Sequence, residues 1–163
     1  MKLERDEVMA APVLLRGVAG LLDLAIEAGL VIAALWAWWR AYPLDLPPRY
    51  WNAFDYAIDL ANGQRHLLIR GAVLFAIVHV VWQTLWSRLI GAAPVARLMG
   101  MRVITTRGRQ PGLVRLCFRA GIALPLALFG LLGPLWAFVS PRRRMLHDVL
   151  TGCELLRGPV TLS

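Results

Sequence analysis

The stretch Arg16-GVAGLLDLAIEAGLVIAALWAWW-Arg40 decides the fold. Between its two arginines lie 23 residues, 17–39. As a helix they rise roughly 35 Å at about 1.5 Å per residue, enough to cross a hydrocarbon core of about 30 Å. The run reads as a membrane span. Asp23 and Glu27 interrupt it, and an ionised group near a helix centre costs roughly 2.5 to 3.5 kcal/mol on the insertion scale. Nine Leu, Ile and Val residues return about 0.3 to 0.6 kcal/mol each, which only balances two such charges. The carboxylates must therefore be paired, protonated or wet.

Spacing says where they point. Arg16, Gly20, Asp23, Glu27 and Leu30 follow one another at helical steps of three and four, so they form one stripe, expected to face protein. The opposite side, with Leu21, Ile32 and Leu35, is expected to face lipid, and Trp36, Trp38 and Trp39 to form an aromatic belt at one interface.

The rest of the composition agrees with a membrane protein. Of 163 residues 58% are hydrophobic, and they are concentrated in blocks rather than spread at amphipathic spacing. The net charge of +8 rests on 18 basic residues, all but Lys2 arginine, placed beside the apolar blocks as topology signals are. That placement argues against nucleic acid as a partner. Cys117 and Cys153 have no metal-ligand spacing, so neither a disulfide nor a metal site is expected. No cleavable signal is evident, and the first span reads as an uncleaved anchor.

Along the chain, a polar lead-in ends at Pro12. After the first span, the loop 41–69 opens with Pro43, Pro47 and Pro48, and within it Trp51, Phe54 and Ile58 recur at helical steps ahead of Asn62-Gly63. A short amphipathic helix lying on the membrane surface suits that pattern. The second span is 71–90, with His79, Gln83 and Ser87 on one polar edge. Residues 91–119 then carry Arg97, Arg102, Arg107, Arg109, Arg115 and Arg119 and no acidic residue, which places them in the cytoplasm together with the N-terminus. Residues 101–106, followed by Arg107-Gly108, read as a strand and turn, and 153–156 as a second short strand.

Residues 120–140 allow two paths. A single crossing would put Arg142, Arg143 and Arg144 outside, against the charge rule. Pro125, Gly130, Gly133 and Pro134 instead permit a kinked or re-entrant segment that returns the chain to the cytoplasm and lets the two strands pair. The expected fold is thus an all-α integral membrane domain with two transmembrane helices (about 17–39 and 71–90), a third kinked or re-entrant segment (about 120–140) and a short cytoplasmic β-hairpin-like element.

Arg16, then Leu22-Asp23, G-x8-G-M-R-V from Gly91, G-R-Q-P-G from Gly108, Arg119 and S-P-R-R-R-M-L-H-D-V-L-T-G from Ser140 together resemble the RDD family of small bacterial membrane proteins. The resemblance covers residues 12–157, one domain. The family's name refers to one Arg and two Asp, which map onto Arg16, Asp23 and Asp148. It implies three membrane segments, a polar cluster of those residues, a place in the bacterial inner membrane and a role in transport, including cation and proton exchange. Two departures stand out. The family tends to show G-x-T-x-G-K-R where this chain has Gly91-Ala-Ala-Pro-Val-Ala-Arg97, and A-G-T where it has Thr151-Gly-Cys153.

Two function classes follow. In the first, Asp23, Glu27 and His79 form a proton or monovalent-cation relay in a small, homo-oligomeric carrier, because imidazole beside a carboxylate changes charge in the physiological range. A purely structural role for the same groups, locking helix packing, competes with it. In the second, the chain is an accessory subunit docked onto other membrane subunits. Arg142, Arg143 and Arg144 suit either lipid head groups or a topology flank. His79 lacks a matching axial partner for haem, and His147-Asp148 come with no nucleophile, metal cluster or phosphate loop, so neither a cofactor nor an enzyme is expected.

Overall fold

The computed structural model of the chain describes residues 9–42, 52–63, 65–128, 132–140 and 144–158. The polar lead-in up to residue 8, the prolines of the 43–51 loop, Trp51, Gly130, Arg142 and Arg143 lie outside the described residues.

Two long apolar helices dominate: α1 spans Val13–Ala41 and α3 Arg65–Leu89. Each is long and apolar enough to cross a membrane. They pack against each other as an antiparallel pair, joined at one end by α2, Ala53–Gly63. Asn52 starts α2 because its Oδ1 accepts the N–H groups of Phe54 and Asp55, at 3.0 and 2.9 Å, while its amide donates to Asp55 Oδ2 at 2.6 Å. Phe54 and Ile58 stay exposed on its surface.

At the opposite end the chain builds a small sheet. After α3 come α4 (Pro94–Leu98) and β2 (Met101–Thr105), and the last strand, β3 (Cys153–Arg157), pairs antiparallel with β2 from Met101↔Arg157 to Thr105↔Cys153. Two glycines of the G-x8-G-M-R-V motif take left-handed backbone, Gly91 at φ 93° and Gly100 at φ 75°. They bracket α4, and the Gly91 carbonyl accepts the Val103 N–H at 2.7 Å, so the motif folds α4 back onto the start of β2. The expected hairpin-like element is instead a non-local pair with a third strand, because β1 (Met9–Ala10) adds to the other edge of β3.

That sheet settles the path of the third hydrophobic segment. It leaves as α5 (Leu113–Leu128), returns as α6 (Leu132–Val139) and reaches β3 through α7 (Leu146–Thr151). Because β2 and β3 pair, the chain before α5 and the chain after α7 lie in the same sheet, at the same end of the molecule. Pro125 does not make the break. It sits inside α5, and the helix continues to Leu128. Pro134 falls in the first turn of α6, where a missing N–H costs little.

The apolar core sits at the sheet end, where Ala11 and Ala19 before and on α1, Ala92 and Ala96 around α4, Met101 and Val103 on β2, Leu116 on α5, and Cys153 and Leu155 on β3 are all buried. Small residues predominate because α1, α4 and the sheet approach closely. The buried stripe of α1 runs Arg16, Ala19, Asp23, Glu27, Val31, and Gly20 and Leu30, expected on it, are exposed. Ala19 rather than Gly20 is the small residue at the contact, which rotates the stripe slightly. Leu35 is likewise half-buried rather than lipid-facing, its Cδ1 3.6 Å from where a Cβ on Gly71 of α3 would lie. The expected outer residues Leu21 and Ile32, and Trp36, Trp38 and Trp39 near the end of α1, are exposed.

Candidate functional site

Two polar centres line the inner face of α1, one helical turn or more apart. The first lies about halfway along the helix pair. Glu27 is fully buried. Its Oε2 lies 2.6 Å from His79 Nδ1 and its Oε1 accepts the Gln83 amide at 3.0 Å, so one carboxylate is held by two side chains a turn apart on α3. The second polar edge read from the sequence, His79-Gln83-Ser87, thus meets the first. Buried polar atoms without a hydrogen-bond partner among the described residues continue along α3 toward the sheet at His79 Nε2, Trp86 Nε1 and Ser87 Oγ, while the Trp82 indole lies beside Asp23.

Asp23, one turn from Glu27, has a different task. Its Oδ1 accepts the N–H of Val95 at 3.1 Å, in the first turn of α4. Pro94 fills the position whose N–H would be unsatisfied, and no side chain within α4 caps its start. Asp23 is therefore a cap supplied from another helix, and it sits at the positive end of that short helix. This gives the departing segment Gly91–Arg97 a physical role: with alanines in place of polar residues, it packs Ala92, Ala93 and Ala96 against α1 and offers its backbone to Asp23. Replacing Asp23 by Ala is expected to cost about 1 to 2 kcal/mol, the upper range for a lost cap, with Asn recovering most of it. Thermal unfolding in detergent micelles checks this.

The second centre is built on Asp148, which is wholly buried on α7. Arg119 of α5 donates from Nε to its Oδ1 at 2.7 Å. Arg16 of α1 lies with Nη1 4.0 Å from Oδ2 and donates from Nη2 to the Leu155 carbonyl of β3 at 2.9 Å. Three elements, α1, α5 and α7, thus converge on one carboxylate. Burial alone would push the Asp148 carboxyl up. Arg119 foremost, through both its charge and its hydrogen bond, with His147 and then Arg16 beside it, outweighs burial and holds the group below its ordinary value.

His147 completes this centre, with Nε2 3.5 Å from Asp148 Oδ1. Burial pushes its pKa down to about 4, against the pull of Asp148 and with the help of the neighbouring arginines. A neutral imidazole is thus kept inside while the unfolded chain would protonate near pH 6.5. Stability attributable to His147 is full above that pH and falls as the pH drops from about 6.5 to about 4, by up to about 3 kcal/mol at 1.4 kcal/mol per unit. In His147→Gln the slope of unfolding midpoint against pH over that window is expected to flatten.

The structure thus separates what the sequence grouped. Arg16 and Asp148 meet, but Asp23 serves α4, since seven residues of helix, roughly 10 Å, put it beyond Arg16. In the Asp23, Glu27 and His79 relay, Glu27 and His79 touch and Asp23 stands aside. Arg144 is paired with Glu154 at 3.3 Å. Arg119 was visible only as one motif residue, although an arginine on an apolar helix signals a buried partner. The backbone of Val95 left no side-chain signal at all.

Two helices long and apolar enough to cross a membrane, with outward-facing Leu, Ile and Trp residues and a third helical excursion around buried ionisable groups, have the features of a membrane-type protein. The RDD family model matches residues 10–152, and the chain belongs to the RDD family. No curated protein and no solved structure matches it.

Proposed function

We propose that this RDD protein moves protons, or exchanges them for a monovalent cation, across the bacterial inner membrane through the Glu27–His79 pair. The carrying observation is the 2.6 Å contact between a fully buried carboxylate and an imidazole about halfway along the two longest apolar helices. Imidazole is the side chain whose ordinary charge change falls near neutral pH, and ionisable groups at membrane depth are functional by default. The unpartnered polar atoms from His79 to Ser87 support a hydrated route toward the sheet, because each costs roughly 1 to 3 kcal/mol if left dry. Asp23 is not part of that route. The arginine-rich segment and the N-terminal strand share the sheet end, which supports a cytoplasmic sheet and N-terminus. Two long helices leave much of α1 and α3 uncovered, so a homo-oligomer supplies the remaining wall.

A second reading is a non-enzymatic subunit that docks onto a larger membrane complex. The segment Gly91–Arg97 favours it, since its residues serve packing where the family tends to be polar. Proton flux into liposomes loaded with a pH dye, under imposed Na⁺, K⁺ or Li⁺ gradients, separates the two. Flux above that of empty liposomes supports transport. Flux equal to empty liposomes for every cation sinks it in favour of docking.

A further inference from the structure

Beside β2, the turn after it and the start of α5 lies an open groove of about 660 Å³. Its lining combines basic and apolar side chains. Arg107, Arg109 and Arg115 line it together with the apolar Phe118, Ile122 and Leu150 and the polar Thr105, Gln110 and Thr151. No acidic residue is among the described residues that line it, and Asp148 and Glu154 are engaged elsewhere, by Arg119 and Arg144. None of the three guanidinium groups makes a hydrogen bond or ion pair with a described residue. Three like charges gathered without a counter-charge repel one another, and an anion placed among them relieves that. The apolar wall is continuous with the outward face of α5, where Phe118 is 64% exposed, and with Leu150 on α7 at 61%.

We propose that this groove binds an anionic glycerophospholipid, with the phosphate among Arg107, Arg109 and Arg115 and an acyl chain along Phe118, Ile122 and Leu150. A free phosphate would use the arginines and leave the apolar wall uncovered. A zwitterionic lipid would cover the wall and offer no net charge to the arginines. Only a lipid with a net negative head group satisfies both halves, and guanidinium forks suit phosphate oxygens. Arg144, already paired with Glu154, is not the head-group residue. The site stands independently of the transport reading.

The test is native mass spectrometry of the detergent-solubilised full chain titrated with phosphatidylglycerol or phosphatidylcholine. Phosphatidylglycerol is expected to bind one site tightly and phosphatidylcholine weakly. In Arg107→Gln/Arg109→Gln/Arg115→Gln the phosphatidylglycerol affinity should fall by roughly 100-fold, the order expected when three guanidiniums leave an anionic head group. Phe118→Ser, which keeps all three charges, should weaken it by roughly 10-fold through lost chain contact. Arg65→Gln/Arg70→Gln, on exposed residues at the far end of α3, should leave it unchanged. Equal binding of both lipids, or an unchanged affinity in the triple variant, would overturn the proposal. So would glycerol phosphate displacing the lipid at equal concentration with Phe118→Ser neutral, which marks a free-phosphate site.

Discussion

Asp148→Ala is expected to destabilise the sheet end by about 3 to 5 kcal/mol, the cost of breaking a buried ion cluster by removing its only anion. Arg119, with its side chain 11% exposed, would lose the acceptor of its Nε at 2.7 Å, and Arg16 would keep its bond to Leu155 but lose the charge that compensates it. Asp148→Asn should recover only part of the loss, since a neutral amide accepts Arg119's hydrogen bond but removes the charge that faces both guanidiniums. Because the cluster joins α1, α5, α7 and β3, the effect should spread. Amide exchange of β3 should rise to the rate of the whole sheet, whereas the contact of α1 with α3 through Glu27 and His79, toward the other end, should persist. Thermal unfolding and exchange in the same micelles measure both. A loss below about 1 kcal/mol would mean that the cluster is hydrated, because surface pairs are worth only that much.

Much of this was legible in the chain. Both long helices announce themselves by length and hydropathy, and the turn of Asp23 and Glu27 toward protein follows from their spacing. The pairing of Glu27 with His79 was legible because each lies near the middle of its helix and neither can face lipid. The strands at 101–106 and 153–156 were legible from β-branched and Gly-bounded runs, but β1 was not, since two residues carry no period. Asp23 defeated the reading for a specific reason. Its partner is the backbone of Val95, made available by Pro94 and the left-handed Gly91, and a backbone donor has no signature in residue type. Arg107, Arg109 and Arg115 read as topology charges, and only the fold gathers them around one apolar wall.

The largest functional effect is expected at Glu27. Glu27→Gln keeps the volume, an acceptor for Gln83 and the packing of α1 on α3, yet it removes the carboxylate on which the proposed proton path rests. His79 loses the carboxylate it contacts at 2.6 Å. Proton flux should therefore drop to the level of empty liposomes, while the unfolding midpoint stays near that of the unaltered chain. His79→Gln should slow flux without abolishing it, because the Glu27 carboxylate remains in place. Asp23→Asn should transport normally, for that side chain holds α4.

The comparison that decides most directly is proton flux of Glu27→Gln against Asp23→Asn, reconstituted at equal protein content in liposomes with a trapped pH dye. The Glu27–His79 pair as the transport site requires flux lost in the first and kept in the second, with both folded. Full flux in Glu27→Gln would contradict it, and loss in both variants alike would assign the carboxylates to the architecture of α1 rather than to a proton path.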